Sequence, residues 1–276
     1  MAFAERDGAR IYWTALGKGE PLVMIMGLGC SSDLWFRLAP RLAKHHRVIL
    51  LDNRGVGQSE VPHFVVHRVA TMAADVAAVL DAAGEPTAHV LGLSMGGMIA
   101  QQFALDFPGR VRSLVLMATN CGGPRAVLPE SHVWKLLFSR GEMSPEDSLE
   151  AMRPYTYANA TAGRVIEEDS FVRLAHYPAL RGYQAQLYGL MGWSSSSRLN
   201  NLDRPTLVLH GREDRLIPPE NGRVLAELIP GADLLEFDDA SHWIHSDQTE
   251  RTVHAVESFI RKQRGGNGRN KMRPSP

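Results

Sequence analysis

Short apolar runs, each bounded by glycine or a polar turn, constrain this chain more than any other feature. Pro21-Leu-Val-Met-Ile-Met26 ends at Gly27; Val48–Leu51, His89–Leu93, Leu114–Met117 and Thr206–Leu209 read the same way, and Leu234–Phe237 is a last run of this kind. Continuous apolar runs of this length fit strands buried on both faces. Helical patterns lie between them. Thr71–Ala83 sets Met72, Val76, Val79, Leu80 and Ala83 on one face and stops at Gly84. Met98–Phe107 stops before Pro108, and Pro219–Ile229 and Gln248–Phe259 follow later. Strand and helix in alternation imply an α/β architecture: a mostly parallel sheet of about eight strands, covered by helices on both sides. A hairpin turning at Asp7-Gly8 and continuing through Ile11–Ala15 precedes it.

The alternation breaks between about Pro124 and Asn201. This stretch is helical in pattern and holds five of the six tyrosines, with Trp134 and Trp193. It reads as an inserted helical cap over residues 125–200, on a core formed by residues 1–124 and 201–263. Trp193-Ser-Ser-Ser-Ser197 reads as a flexible return, and the glycine-rich segment 264–276 as a disordered tail.

Composition excludes several classes. Lys+Arg and Asp+Glu are 30 each, so no net charge draws the chain to nucleic acid or an anionic membrane. No apolar run reaches the roughly 20 residues of a membrane span, and the start MAFAERDGAR lacks a signal-peptide layout. A cytoplasmic protein is expected. Cys30 and Cys121 match no zinc spacing or disulfide framework and read as reduced thiols near strand ends. Neither a HExxH motif nor a dinucleotide glycine fingerprint is present. No metal or cofactor is expected, the partner is a small-molecule substrate, and nothing specifies an oligomeric state.

The strongest chemical signal is Gly92-Leu93-Ser94-Met95-Gly96, a G-x-S-x-G between an expected strand and an expected helix. A strand-to-helix turn that sharp holds its serine in a strained conformation and needs glycine two residues to either side. The hydroxyl then stands at the carboxyl edge of the sheet, with a helix N-terminus behind it. Serine needs a base to become a nucleophile, and with this turn the order is serine, acid, histidine. Of 11 histidines, His242 is preferred, because it follows the last strand and precedes the last helix; His245, about one turn on, is its rival. Asp214, after the strand Thr206–Leu209, falls at the same edge as Ser94 and is the candidate acid. Glu213 would point elsewhere, and Asp238 and Asp239 precede His242 too closely to reach back.

With these segments in place, the chain resembles the α/β-hydrolase superfamily over nearly its whole length, small esterases and enol-lactonases in particular. Met26-Gly27-Leu28-Gly29 is similar to the family's oxyanion loop, Asp52-Asn-Arg54-Gly-Val-Gly57-Gln-Ser59 to its D-x-R-G-x-G-x-S loop, and Gly92–Gly97 to its nucleophile elbow. Gly211–Asp214 and Ser241-His242-Trp243 are similar to its acid and histidine loops. The resemblance implies a Ser94-Asp214-His242 triad and an oxyanion hole made of the Leu28 and Met95 backbone N–H groups. Many relatives carry His-Gly where this chain has Met26-Gly27; the triad is untouched by that departure. The Arg54 loop is expected to be structural, with Asp52 and Arg54 fixing its turn. Trp35, Trp134, Phe138, Tyr183 and Trp243 are candidate substrate contacts. The implied activity is hydrolysis of a carboxylic ester or lactone. Epoxide hydrolases and dehalogenases of this fold resemble one another in an aspartate at the elbow, which Ser94 argues against. Carbon–carbon bond hydrolases, hydroxynitrile lyases, cofactor-free perhydrolases and non-hydrolytic ligand-binding or biosynthetic members stay open.

Overall fold

The computed structural model describes residues 2–61 and 66–266. Strand β1 (Ala2–Arg6) turns at Asp7 and Gly8, both at positive φ, into β2 (Ala9–Leu16). After β3 (Glu20–Ile25) come α1 (Ala39–Leu42), β4 (His46–Leu51), α2 (Val69–Ala82) and β5 (Ala88–Leu93). Helix α3 (Met95–Asp106) leads to β6 (Val111–Met117). Four helices then run without an intervening strand: α4 (Ser131–Ser139), α5 (Pro145–Thr156), α6 (Gly163–Ala175) and α7 (Leu180–Leu190). The alternation resumes with β7 (Thr206–Gly211), α8 (Glu220–Leu228), β8 (Asp233–Phe237), α9 (Ile244–Asp247) and α10 (Thr249–Gly266).

The eight strands form one sheet in the order β1-β2-β4-β3-β5-β6-β7-β8. β1–β2 and β2–β4 are antiparallel and all other pairs are parallel. Parallel strands need helical crossovers, which cover both faces and bury the central strands throughout: every residue of β5 and β7 is buried. Side chains alternate along each strand, so two cores result. One gathers Val23, Ile25, Val90 and Leu116 with α2 and α3, and the other gathers Leu22, Met24, Leu91 and Val115 with α1 and α10.

The expected strands are all present; β3 lies one residue earlier than expected, at Glu20–Ile25, and most others gain one to three residues where the apolar run continues into polar flanks. Two boundaries moved for physical reasons. Helix α3 begins at Met95 rather than Met98, because the turn at Ser94 opens directly into it. Helix α10 runs past Phe259 to Gly266, since Arg261–Arg264 are good helix formers with no breaker among them. Positions 267–276 of the expected tail lie outside the described residues. The serine run is not a loose return: Ser195 is buried, its N–H donates to Cys121 O, and its hydroxyl donates to Gln101 Oε1 at 2.7 Å. Cys30 and Cys121 are buried free thiols. No helix among the described residues is long and apolar enough to cross a membrane.

The loop after β4 differs from its expected role in one half. Asp52 does fix the turn, accepting from the N–H groups of Gln58 and Ser32. Arg54 instead reaches out of the loop and clamps helix α2, through two 2.6 Å hydrogen bonds to the Asp75 carboxylate. Both side chains are nearly inaccessible (4% and 2%), so Arg54 depends on Asp75 for compensation, while Asp75 has a second, longer contact to Arg6 at 3.3 Å. Arg54→Met should destabilise the fold by about 3 kcal/mol in urea titration, because it leaves the buried Asp75 carboxylate only the 3.3 Å contact to Arg6. Arg54→Met with Asp75→Leu should recover most of that loss; a double variant no better than the single would sink this account.

A second test concerns His245, packed between Trp35 and Trp243 with ring centroids 5.3 Å from each. Neither of its ring nitrogens has a hydrogen-bond partner among the described residues. Burial first, then the charges of His242 and Arg37, pull its pKa from 6.5 to about 3. The unfolded ring therefore takes a proton below 6.5 that the folded ring refuses until about 3. Its contribution to stability is whole above 6.5 and is lost as pH falls through that window. Asp247, raised by burial to about 6, acts in the opposite sense over part of the same range. Melting temperature plotted against pH should fall less steeply on the acid side in His245→Phe than in wild type. An unchanged slope would count against the assignment.

Candidate active site

Five loops at the carboxyl ends of the parallel strands converge on one edge. At their centre Ser94 occupies the junction between β5 and α3 at φ 56°, ψ −122°, a region costly for a residue with a side chain. The reason is the closeness of the backbones. A Cβ on Gly92 would collide with the carbonyl of Gly96, and one on Gly96 would collide with the Ile25 carbonyl at the end of β3. The glycines thus let α3 rest on the sheet backbone, and the strain falls on the serine between them. The Ser94 N–H is held by Met117 O at 2.9 Å, and its carbonyl by the Thr119 hydroxyl at 2.7 Å.

Asp214 and His242 arrive on the loops after β7 and β8. The Asp214 carboxylate is buried, with Oδ1 accepting from the N–H groups of Leu216 and Ile217 at 2.9 and 2.7 Å. Its Oδ2 accepts from His242 Nδ1 at 2.8 Å, which turns the imidazole's other nitrogen away from the acid. Burial alone would raise the Asp214 pKa. The charge and hydrogen bond of His242, with His210 close by, outweigh it, and the pKa is held below the usual carboxylate value. His210 is a partner that sequence reasoning missed: buried on β7, it bonds the Ile217 carbonyl at 2.8 Å and lies 3.6 Å from Asp214. Its place four residues before Asp214 was the available signal. Three neighbouring acids have other partners. Glu213 accepts from Asn159, and Asp238 pairs with Arg212. Asp247 fastens the His242 loop to the α5–α6 loop, taking the Ser241 and Ala158 N–H groups and the Thr161 hydroxyl.

The loop after β3 runs close beside Ser94, and a Cβ on Gly27 would stand 3.2 Å from the serine's own Cβ. Leu28 and Met95 both line the cavity in front of Ser94. As the first residue of α3, Met95 has an N–H with no acceptor within the helix. Where relatives carry a histidine, Met26 is buried and its carbonyl accepts from Asn53 Nδ2 at 2.9 Å. The loop's other support comes from α7. Buried Gln186 accepts the Gly29 N–H at 2.8 Å and donates to the Arg54 carbonyl at 2.9 Å. Sequence reasoning missed it, although a glutamine inside the stripe Tyr183, Gln186, Leu187, Leu190 is a polar residue on a buried helix face.

Ser94 and His242 open onto one cavity, walled mostly by apolar side chains such as Met98, Leu137, Met152, Leu187 and Ile217. Of the aromatic candidates, Trp134 and Trp243 line it. Trp35 does not: it is fully buried in the core beneath. Phe138 also does not; it lies against Trp134 on the outward side, 43% exposed. Tyr183 stands behind the wall, its hydroxyl donating to Leu137 O at 2.7 Å. Two cations were not anticipated, Arg140 and Arg173, and both line the cavity. Among the described residues, no group of three or more His, Cys, Asp or Glu is placed to hold a metal ion.

Comparison with known proteins identifies the family. The model of the α/β hydrolase fold family matches residues 20–168 and 169–249. A poly(3-hydroxyalkanoate) depolymerase of Ectopseudomonas oleovorans is 32% identical, over 95% of this chain and 92% of its own. A 2-hydroxy-6-oxo-2,4-heptadienoate hydrolase of Pseudomonas putida is 29% identical, over 89% and 90%. Among solved structures, the esterase RhEst1 from Rhodococcus sp. superposes with a TM-score of 0.83 at 27% identity, covering 94% of this chain and 98% of its own. With its eight-stranded, mostly parallel sheet and this family match, the chain belongs to the α/β hydrolase fold family and is a hydrolase.

Proposed function

We propose that the chain hydrolyses a carboxylic ester or lactone through an acyl-enzyme on Ser94. The observation that carries this reading is the Asp214–His242 hydrogen bond behind a strained serine, with Ser94 and His242 facing one largely apolar cavity. His242 takes the Ser94 proton as the hydroxyl attacks the substrate carbonyl. Asp214 fixes the tautomer that leaves the outer nitrogen free to do so, and it stabilises the imidazolium. The N–H groups of Leu28 and Met95 receive the oxyanion. The imidazolium then protonates the leaving alkoxide, and in the second half His242 deprotonates the water that releases the acid. In this reading α4–α7 form a cap over the edge of the sheet, supplying Trp134, Met152 and Leu187 to the cavity wall. Both the depolymerase among the relatives and the Rhodococcus esterase among the structures have names consistent with ester cleavage.

A panel of p-nitrophenyl esters of graded chain length, with simple lactones, tests the proposal. Wild type should turn over members of the panel, and Ser94→Ala, folded by circular dichroism, should lose about 10⁴-fold or more in kcat. Equal rates for the two would remove Ser94 from the mechanism. Gln186 gives a second test, as a positioning residue. Gln186→Leu leaves the Gly29 N–H and Arg54 carbonyl unpaired, which should cost about 1–3 kcal/mol of stability. It should also lower kcat about tenfold with little change in KM, because an oxyanion donor displaced with its loop matters most in the transition state. Lower stability with unchanged kcat would reduce Gln186 to a structural role.

A further inference from the structure

Two arginines line the cavity, and among the described residues neither has a carboxylate within ion-pair distance. Arg140 follows α4 and is 4% exposed; Arg173 is on α6 and 8% exposed. Both line the cavity that holds Ser94 and His242, and among the described residues lining it none is an aspartate or glutamate. Among the described residues neither forms an ion pair with a carboxylate. The Arg140 Nε donates to Ser148 Oγ at 3.1 Å, and its guanidinium lies 5.0 Å from the Tyr183 ring centre. Its Nη2 is buried without a hydrogen-bond partner. The Arg173 guanidinium lies 5.1 Å from the ring centre of Trp243, the residue after His242, and its Nε is likewise buried and unpartnered. The Tyr183 phenol lies against Arg140 and within electrostatic reach of Arg173. Burial keeps that phenol neutral, with its pKa pushed up to about 12, and it cannot serve as their counter-ion.

Two buried cations in this state are costly. Arginine does not escape the cost by losing its proton, and desolvating an ion takes several kcal/mol that only a counter-charge or a full set of hydrogen bonds returns. Elsewhere in this molecule buried arginine is compensated, as Arg54 is by Asp75. The uncompensated pair at the cavity is therefore half of an interaction whose other half arrives with a ligand. A planar guanidinium with free N–H groups matches a carboxylate, which presents two coplanar oxygens.

We infer that the substrate is an acid as well as an ester or lactone: it carries a free carboxylate that Arg140 and Arg173 bind while the reacting carbonyl lies at Ser94. This rests on the ester-hydrolase reading above and adds the class of substrate to it. The apolar walls between the arginines and Ser94 fit a hydrocarbon spacer between the two groups.

The test uses mono-p-nitrophenyl half-esters of the linear diacids from succinate to pimelate, each beside its ω-amide, which is nearly isosteric and uncharged. At the best chain length wild type should prefer the acid by about 10- to 100-fold in kcat/KM, the range for a charge-assisted hydrogen bond, mainly through KM. Arg140→Met and Arg173→Met should each shrink the acid-to-amide ratio about tenfold, while Arg140→Lys, which keeps the charge, should restore part of it. Wild type cleaving the amides as well as the acids at every length would overturn the carboxylate site and leave the esterase reading standing. If neither series is cleaved and a fluorophosphonate fails to label Ser94, the esterase reading falls, and the carboxylate site is read by binding instead. Free glutarate or adipate should then raise the melting temperature of wild type but not of Arg140→Met or Arg173→Met. No rise in wild type, or an equal rise in all three proteins, would overturn it.

Discussion

Helix α3 lies in backbone contact with the sheet, and the reactive edge depends on that contact. Its seat has no room for a side chain: Cβ atoms at Gly92, Gly96 and Gly97 would strike the Gly96 carbonyl, the Ile25 carbonyl and Thr119 respectively. The same approach puts the β3 loop beside Ser94, so one steric fact places the candidate nucleophile, the helix N-terminus and the candidate oxyanion loop together. A backbone strain of about 1–3 kcal/mol at Ser94 is sustained because both faces of the sheet are filled. The core on each side leaves β5 and β7 without accessible residues, and the junction cannot relax without opening it.

The parts of this molecule that read clearly in the sequence are those governed by local rules. Apolar runs closed by glycine give strands, and a glycine-flanked serine between strand and helix gives a strained turn. Ser94, Asp214 and His242 could be picked out because each follows a strand whose carboxyl end reaches the same edge. Parts that depend on packing between distant elements were not legible in this way. Trp35 and Trp134 are both tryptophans near the edge, yet one fills the core and the other faces the cavity, a difference made by neighbours far along the chain. Arg54 sits in a loop that looks self-sufficient, and its partner is a helix residue 21 positions on. His210, Gln186, Arg140 and Arg173 are polar residues whose burial exists only once the chain has folded over them.

Polar burial divides into two kinds here. At Arg54–Asp75, Asp214–His242 and Gln186, each buried group meets its complement within the chain, and the result is a frame of fixed geometry. At Arg140 and Arg173 the complement is missing, which is a cost to the fold on its own terms. Stability and function pull apart at such places, and they are where a fold shows which chemistry it was shaped to receive.

Gln186 also ties two motions into one. A single side chain on α7 holds both the loop that carries Leu28 and the loop that carries Arg54. Hydrogen bonds fail once donor and acceptor part by more than about an ångström. Any swing of α7 wide enough to widen the mouth of the cavity therefore releases Gly29 in the same movement. In the ester-hydrolase reading, the grip of α7 on the cavity wall and the support of the candidate oxyanion loop are therefore one linkage.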